Sequence, residues 1–232
     1  MWAVMKKELK SYFYSPIGYV FIGLFLAIFS FIFYITTISQ GAVTYQYVFF
    51  YSVMYIVIFL IPLLTMRTFA EERKNGTEQI LMTAPRSAVA IVLGKFLAAL
   101  VVIAITELFT LIYFGIICYF KTPDIPTVLV TMFGFLITSM AYISLGMFIS
   151  SLTENQIIAA VSTIAIFVLA WLAPSISTKL TAISLIEKFY PFATGVFPIT
   201  ETISLISITA MFVALTMVVI KRRKIFLYRD FR

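Results

Sequence analysis

Histidine is absent from this 232-residue chain, and cysteine occurs once, at Cys118. Without histidine there is no imidazole to ligate a metal or shuttle a proton. A single thiol excludes an internal disulfide framework and a thiolate cluster. Cys118 is expected as a small buried apolar residue. Charge is scarce too. Only 12% of residues are charged while 62% are hydrophobic, and the mean hydropathy is +1.06. A soluble domain is nearer half apolar and a quarter charged. One soluble core cannot hide this much apolar surface, so the solvent of the chain is lipid. The net charge of +7 then reads as basic flanks of membrane spans, and no nucleic-acid partner is expected. The apolar runs leave no room for a separate soluble unit, so residues 1–232 are read as a single membrane domain.

A bilayer core about 30 Å thick needs roughly 20 apolar residues as helix. Six segments reach or approach that length: 17–38, 47–66, 89–119, 127–150, 156–173 and 198–220. They do not alternate in polarity as barrel strands do, so the expected fold is an all-α polytopic membrane protein with six spans. The third run exceeds one perpendicular crossing and must tilt or project. The first is longer than the core of a signal peptide and no small-x-small cleavage pattern follows it, so it is expected to be retained.

Fourteen of the seventeen lysines and arginines fall on one side of these spans. They form the N-terminal group Lys6, Lys7 and Lys10, the stretch from Arg67 to Lys95, and the terminal "KRRKIFLYRDFR". The other side holds Lys121, Lys179 and Lys188. The asymmetry places both termini in the cytoplasm, in a multi-pass protein of the inner membrane. Before span one, Trp2, Met5, Leu9, Tyr12 and Phe13 recur at helical spacing opposite the lysines, the pattern of an amphipathic interfacial helix. The loop from about Pro174 to Phe197 stays apolar, with Leu180, Ile183, Leu185, Ile186, Phe189, Tyr190 and Phe192. That composition predicts short helices dipping back into the outer leaflet.

Between spans two and three stands "TFAEERKNGTEQILMTAPRS", with six charges in twenty residues: Glu71, Glu72, Arg73, Lys74, Glu78 and Arg86. The helix of span two is expected to continue through "TFAEERK" and stop at Asn75-Gly76. Thr77 then caps a short helix, "EQILMT", with Glu78 in its first turn. Ser87 caps the third run. A helix tip with the apolar Ile80 and Leu81 and a charged rim suits docking into a groove of a soluble partner. A plain solvated loop is the competing reading.

"IPLLTMRTFAEERKNGTEQILMTAPRS", then "IVLGKFLAALVV" and "SSLTENQI", resemble the membrane subunit of ABC type-2 exporters. The likeness is closest to the gliding-motility-type permease branch, whose opening "KKELKSYFYSPIGYVF" is also similar. The resemblance runs through nearly the whole chain in order. It implies that Glu71, Glu72, Arg73, Gly76, Thr77, Glu78 and Leu81 belong to a coupling helix seated on the ATPase. It makes Leu152, Thr153, Glu154 and Asn155 a second contact. It implies a separate ATPase subunit that binds ATP and magnesium, and a second copy of this permease or a close homologue.

The chain itself lacks a P-loop. Its only Gly-Lys is Gly94-Lys95, with Val89 where the first glycine belongs and Phe96 after the lysine,. No cofactor or metal is expected in this chain, and it is not expected to be an enzyme by itself. Glu107 lies within span three, where an ionisable group is costly and is a pathway candidate by default. The alternative to transport is a membrane anchor or mechanical transmitter that couples an ATPase to extracytoplasmic machinery. An intramembrane enzyme is poorly served by this inventory, and a secondary transporter usually shows repeats.

The topology is checked by labelling in a Cys118→Ser chain. An impermeant maleimide applied to intact cells is expected to reach Thr181→Cys and to miss Asn75→Cys. Labelling at position 75 overturns the orientation.

Overall fold

The computed structural model describes residues 1–39, 45–78, 87–120 and 124–230. Every regular element among them is helical. α1 is Trp2–Tyr14. α2, Pro16–Phe33, runs on as π-helix through Tyr34–Ile38. Span two is a train of pieces: α3 (Tyr45–Ser52), a π-helical turn (Val53–Val57), α4 (Ile58–Thr65) and α5 (Arg67–Lys74). Then come α6 (Ala88–Phe120), α7 (Ile125–Leu152) and α8 (Gln156–Ile176). A 3₁₀ helix (Thr178–Ile183) and α9 (Leu185–Ala193) lead to α10 (Ile199–Asp230).

Six helices are long and apolar enough to cross a membrane: Pro16–Ile38, Gln46–Lys74, Ala88–Tyr119, Ile125–Leu152, Gln156–Ile176 and Ile199–Ile225. They fall on the six runs read from hydropathy. The second and sixth helices continue well past their apolar runs into basic sequence. Within their most apolar windows, the second, third and fourth are 67, 56 and 61% buried, against 33, 28 and 28% for the first, fifth and sixth. Spans two to four therefore form the interior, and the other three leave most of their apolar surface uncovered.

α7 is the hub, packed against α3, α4, α5, α6, α8, α9 and α10. Small residues on it let neighbours approach closely. A Cβ at Gly146 would lie 3.0 Å from Thr65 Cβ, and one at Gly134 would overlap the Phe192 side chain. Above this crossing, Phe25, Phe29, Phe49 and Phe135 meet mostly edge to face, at centroid distances of 5.3 to 6.0 Å, a favoured aromatic geometry. Hydroxyls in the spans mostly bond their own helix. Thr106 donates to Val102 O, Thr163 to Ala159 O, Thr209 to Leu205 O and Thr216 to Phe212 O. That satisfies them where water is absent.

Two short helices, the 3₁₀ helix and α9, lie between spans five and six. Ser184 caps α9, accepting from Glu187 N. Leu185, Ile186, Phe189 and Phe192 are buried, against α3 and α7 among others. The Thr131 hydroxyl donates to Phe192 O at 3.0 Å. Cys118 departs from expectation. The last turn of α6 packs through Ile117 and turns Cys118 and Tyr119 outward, so the thiol is exposed.

Gly146→Ala inserts a methyl against Thr65 and is expected to cost about 1–3 kcal/mol. Gly115 has open space at its Cβ position, so Gly115→Ala is expected to be neutral or stabilising. Melting of the two purified variants checks the contrast, and equal behaviour would mean that the α4–α7 crossing is loose.

Candidate functional site

The charges of the chain gather at the end of the bundle that holds α5, the start of α6 and the end of α7. α5 forms because Ala, Glu, Arg and Lys favour helix, and its last turn carries Arg73 and Lys74, the sign that suits a helix C-terminus,. It ends as the sequence implies. Asn75 is the C-cap and Gly76 follows with φ +69°, a left-handed conformation that glycine adopts without a Cβ clash. The Gly76 N–H donates to Arg73 O at 2.9 Å. The Thr77 hydroxyl returns to Glu72 O at 3.2 Å. Glu78 is helical. The rest of the expected coupling helix, including Ile80 and Leu81, lies outside the described residues. Ser87 does cap α6, accepting from Ala90 N at 3.2 Å.

Arg73 joins the two segments that the sequence had singled out separately. Its side chain is only 3% exposed. One terminal nitrogen donates to Thr153 O at 2.8 Å and the other to Ser151 O. These are carbonyls at the C-terminus of α7, where a cation satisfies unpaired acceptors and the negative end of the helix dipole. Nε reaches Glu78, 3.2 Å away, and Glu78 in turn lies 4.0 Å from Arg223 of α10. Ser150 adds a second tie. Its hydroxyl accepts from Phe69 N and Ala70 N at 3.2 and 3.3 Å and donates to Met66 O at 3.0 Å. The helical ladder is thus interrupted between α4 and α5, and Ser150 of α7 bonds the backbone groups at the break.

A ring of four charges lies beside this junction. Lys95 Nζ, on a side chain 1% exposed, stands 3.1 Å from Glu8 Oε1 and 3.0 Å from Glu72 Oε1. Lys7 Nζ stands 3.3 and 3.0 Å from the same two oxygens. Cations and anions alternate, and the ring ties α1, α5 and α6 together. Lys95 also lies 5.3 Å over the Phe69 ring, within cation–π range. Burial acts to lower the Lys7 pKa, but Glu72 and Glu8 outweigh it and hold the pKa above the usual lysine value. A raised lysine pKa stabilises the fold below the unfolded value of about 10.4, and that contribution fades only as pH climbs through the folded value. Nearby, Tyr12 donates to Leu64 O at 3.1 Å, and its burial raises the pKa of its hydroxyl.

The remaining candidates divide by exposure. Glu71 pairs with Arg67 on its own helix. Leu152 is 52% exposed, and Glu154 and Asn155 are exposed. Asn155 caps α8, accepting from Ile157 N at 2.9 Å. Thr153 is the C-cap of α7, and its hydroxyl is buried without a partner among the described residues. Glu107 stands apart, midway along α6, 2% exposed and with Oε1 unpartnered among the described residues.

Sequence reasoning missed Glu8, Lys95, Ser150 and Arg223. It read Trp2, Met5, Leu9, Tyr12 and Phe13 as the apolar face of an interfacial helix and named no residue of α1 that packs inside the protein. The structure buries Val4, Met5, Glu8 and Tyr12 and leaves Trp2 70% exposed. The available signal was the lone lysine in "IVLGKFLAALVV" and the lone acid in α1.

A family model described as ABC-2 family transporter protein matches residues 35–220. No curated protein matches the chain.

Removing one partner of a buried ion pair costs about 3–5 kcal/mol. Lys95→Met is expected to cost less than that, because Lys7 stays on both carboxylates. The loss from Glu8→Gln should be smaller in the Lys95→Met background than in the parent. A double-mutant cycle read by thermal melting checks this, and strictly additive losses would mean that the four charges do not act together.

Proposed function

The chain belongs to the ABC-2 family of transporter proteins, and from that premise we propose that it is the membrane permease subunit of an ATP-driven exporter in the inner membrane. Its single domain carries both termini in the cytoplasm. A separate ATPase subunit binds ATP and magnesium, and the working unit holds two permease copies. Cargo moves outward. Within the family we assign it to the gliding-motility-type branch, on the residues quoted above.

The observation that carries the reading is Arg73. It bonds the Arg67–Glu78 segment to the Ser151–Thr153 turn, so both segments share one end of the bundle. An ATPase meeting that end would touch both at once. In this reading the helix Thr77–Thr83 is the coupling helix, with Leu81 as its apolar knob. Leu152, Glu154 and Asn155 supply the second contact. Gly76 lets the chain turn between α5 and that helix. Glu71, Glu72, Arg73 and Glu78 act from behind, as the braced base through which a push on the knob reaches α1, α6, α7 and α10. Their intrachain partners favour this over a free charged rim. Thr153 serves through its carbonyl. Glu107 is assigned to the pathway, as an ionisable group deep in span three. The 3₁₀ helix and α9 are the re-entrant elements of the outer leaflet.

Leu81→Asp and Leu152→Asp test the reading. Each is expected to leave membrane levels unchanged and to weaken co-purification of the ATPase at least tenfold, since an unpaired charge in an apolar groove costs several kcal/mol. Tyr47→Ala, at the opposite end, should leave assembly intact. Full assembly of both leucine variants would sink the docking surface. Intact assembly whose ATP hydrolysis responds only to a partner protein, and to no small molecule or lipid, would replace export with force transmission.

A further inference from the structure

A groove of about 520 Å³ runs between α1 and α6, lined by Lys6, Leu9, Lys10, Phe13, Val101 and Ile105 among others. The lysines occupy its α1 side, and Val101 and Ile105 its floor along α6. Phe13 meets Tyr19 edge to face at 5.9 Å, closing one side. We propose that this groove is a binding site for one anionic phospholipid, with the headgroup phosphate on Lys6 and Lys10 and an acyl chain laid over Leu9, Phe13, Val101 and Ile105. The inference rests on the membrane orientation given above.

Charge complementarity selects the ligand. Of the three lysines of α1, Lys7 is taken by Glu8 and Glu72. Lys6 and Lys10 are exposed, and neither has an acidic partner within ion-pair distance among the described residues. The nearest acid on their own helix, Glu8, is held by Lys7 and Lys95. Lys6 and Lys10 are one turn apart, with Cβ atoms about 5–6 Å from each other, close enough for one phosphate to meet both. A free phosphate would satisfy the lysines and leave the apolar floor wet. A neutral lipid would cover the floor and leave the lysines unmatched.

Depth agrees. α6 has 33 residues and is about 50 Å long, so about 20 Å of it projects beyond a hydrocarbon core of about 30 Å. With the far end of α6 at the opposite boundary, Val101 stands about 20 Å from Ala88, where the acyl region begins. Ile105 lies one turn deeper. The lysines then sit at headgroup level. Lys95 is sealed behind α1, so the rim charge of the groove belongs to Lys6 and Lys10 alone.

Trp2 reports the site, since Trp2, Lys6, Leu9 and Phe13 share one face of α1 by helical spacing. Trp171→Phe leaves Trp2 as the only tryptophan. That chain is reconstituted in vesicles in which brominated acyl chains are carried either by phosphatidylglycerol or by phosphatidylcholine. The expected result is stronger quenching of Trp2 by the brominated phosphatidylglycerol. Native mass spectrometry should show one phosphatidylglycerol retained about thirtyfold better than phosphatidylcholine, the scale of two lysines at an anionic lipid. Lys6→Gln with Lys10→Gln should remove the preference and leave the basal quenching. Ile105→Phe, which fills the floor, should also remove it with both lysines in place. Equal quenching by the two lipids in the parent overturns the proposal, and so does a preference that inorganic phosphate abolishes. Absence of quenching by either lipid overturns the interfacial orientation itself.

Discussion

A charge sealed inside a helix bundle must meet its opposite there, because the packing leaves no water to solvate it. The basic end of this protein is built around that requirement. Lys95 lies two turns into α6, and two carboxylates from two other helices neutralise it. Arg73 is nearly as buried and meets the carbonyl end of α7 together with Glu78. From these two cations follow the docking of α1, the direction of α5 and the position of the turn after α7. The aromatic and small-residue packing farther along the spans needs no such matching and follows from apolar burial alone.

The same requirement explains what was legible in the sequence. Hydropathy located the six spans, since twenty apolar residues in a row admit few other structures. Local chemistry located the stop at Asn75-Gly76 and the cap at Ser87, because a left-handed glycine and a serine hydroxyl act within a few residues of themselves. The partners of Lys95 were not legible. Glu8 lies 87 residues away in the chain, beyond the reach of any local periodicity. Its inward turn depends on helices that no local window contains. The outward turn of Cys118 has a similar origin. Residue type favoured burial, and the end of the packed part of α6 set the outcome.

Span two shows a further limit. Its hydropathy is that of one uninterrupted helix, yet it contains a π-helical turn at Val53–Val57, Pro62 inside α4 and a break between α4 and α5 at Met66. The proline was visible, since it lacks an N–H to continue the ladder. The break at Met66 is bridged by Ser150, a residue of another span. The segment carrying Glu71, Glu72 and Arg73 is therefore held at least as firmly by α7 and α6 as by the span it continues. The charged stretch that looked like a feature between two helices is the meeting point of five.

The pairing of Lys7 with Glu8 has a consequence for the making of the protein. Synthesis runs from the N-terminus, so α1 emerges long before Lys95 exists. Until then Lys7, 3.3 Å away in the finished fold, is the one cation of the ring that Glu8 can meet. The two adjacent residues let the newborn helix wait without a bare carboxylate. When α6 arrives, Lys95 joins a pair already formed, and the ring closes by addition rather than by exchange.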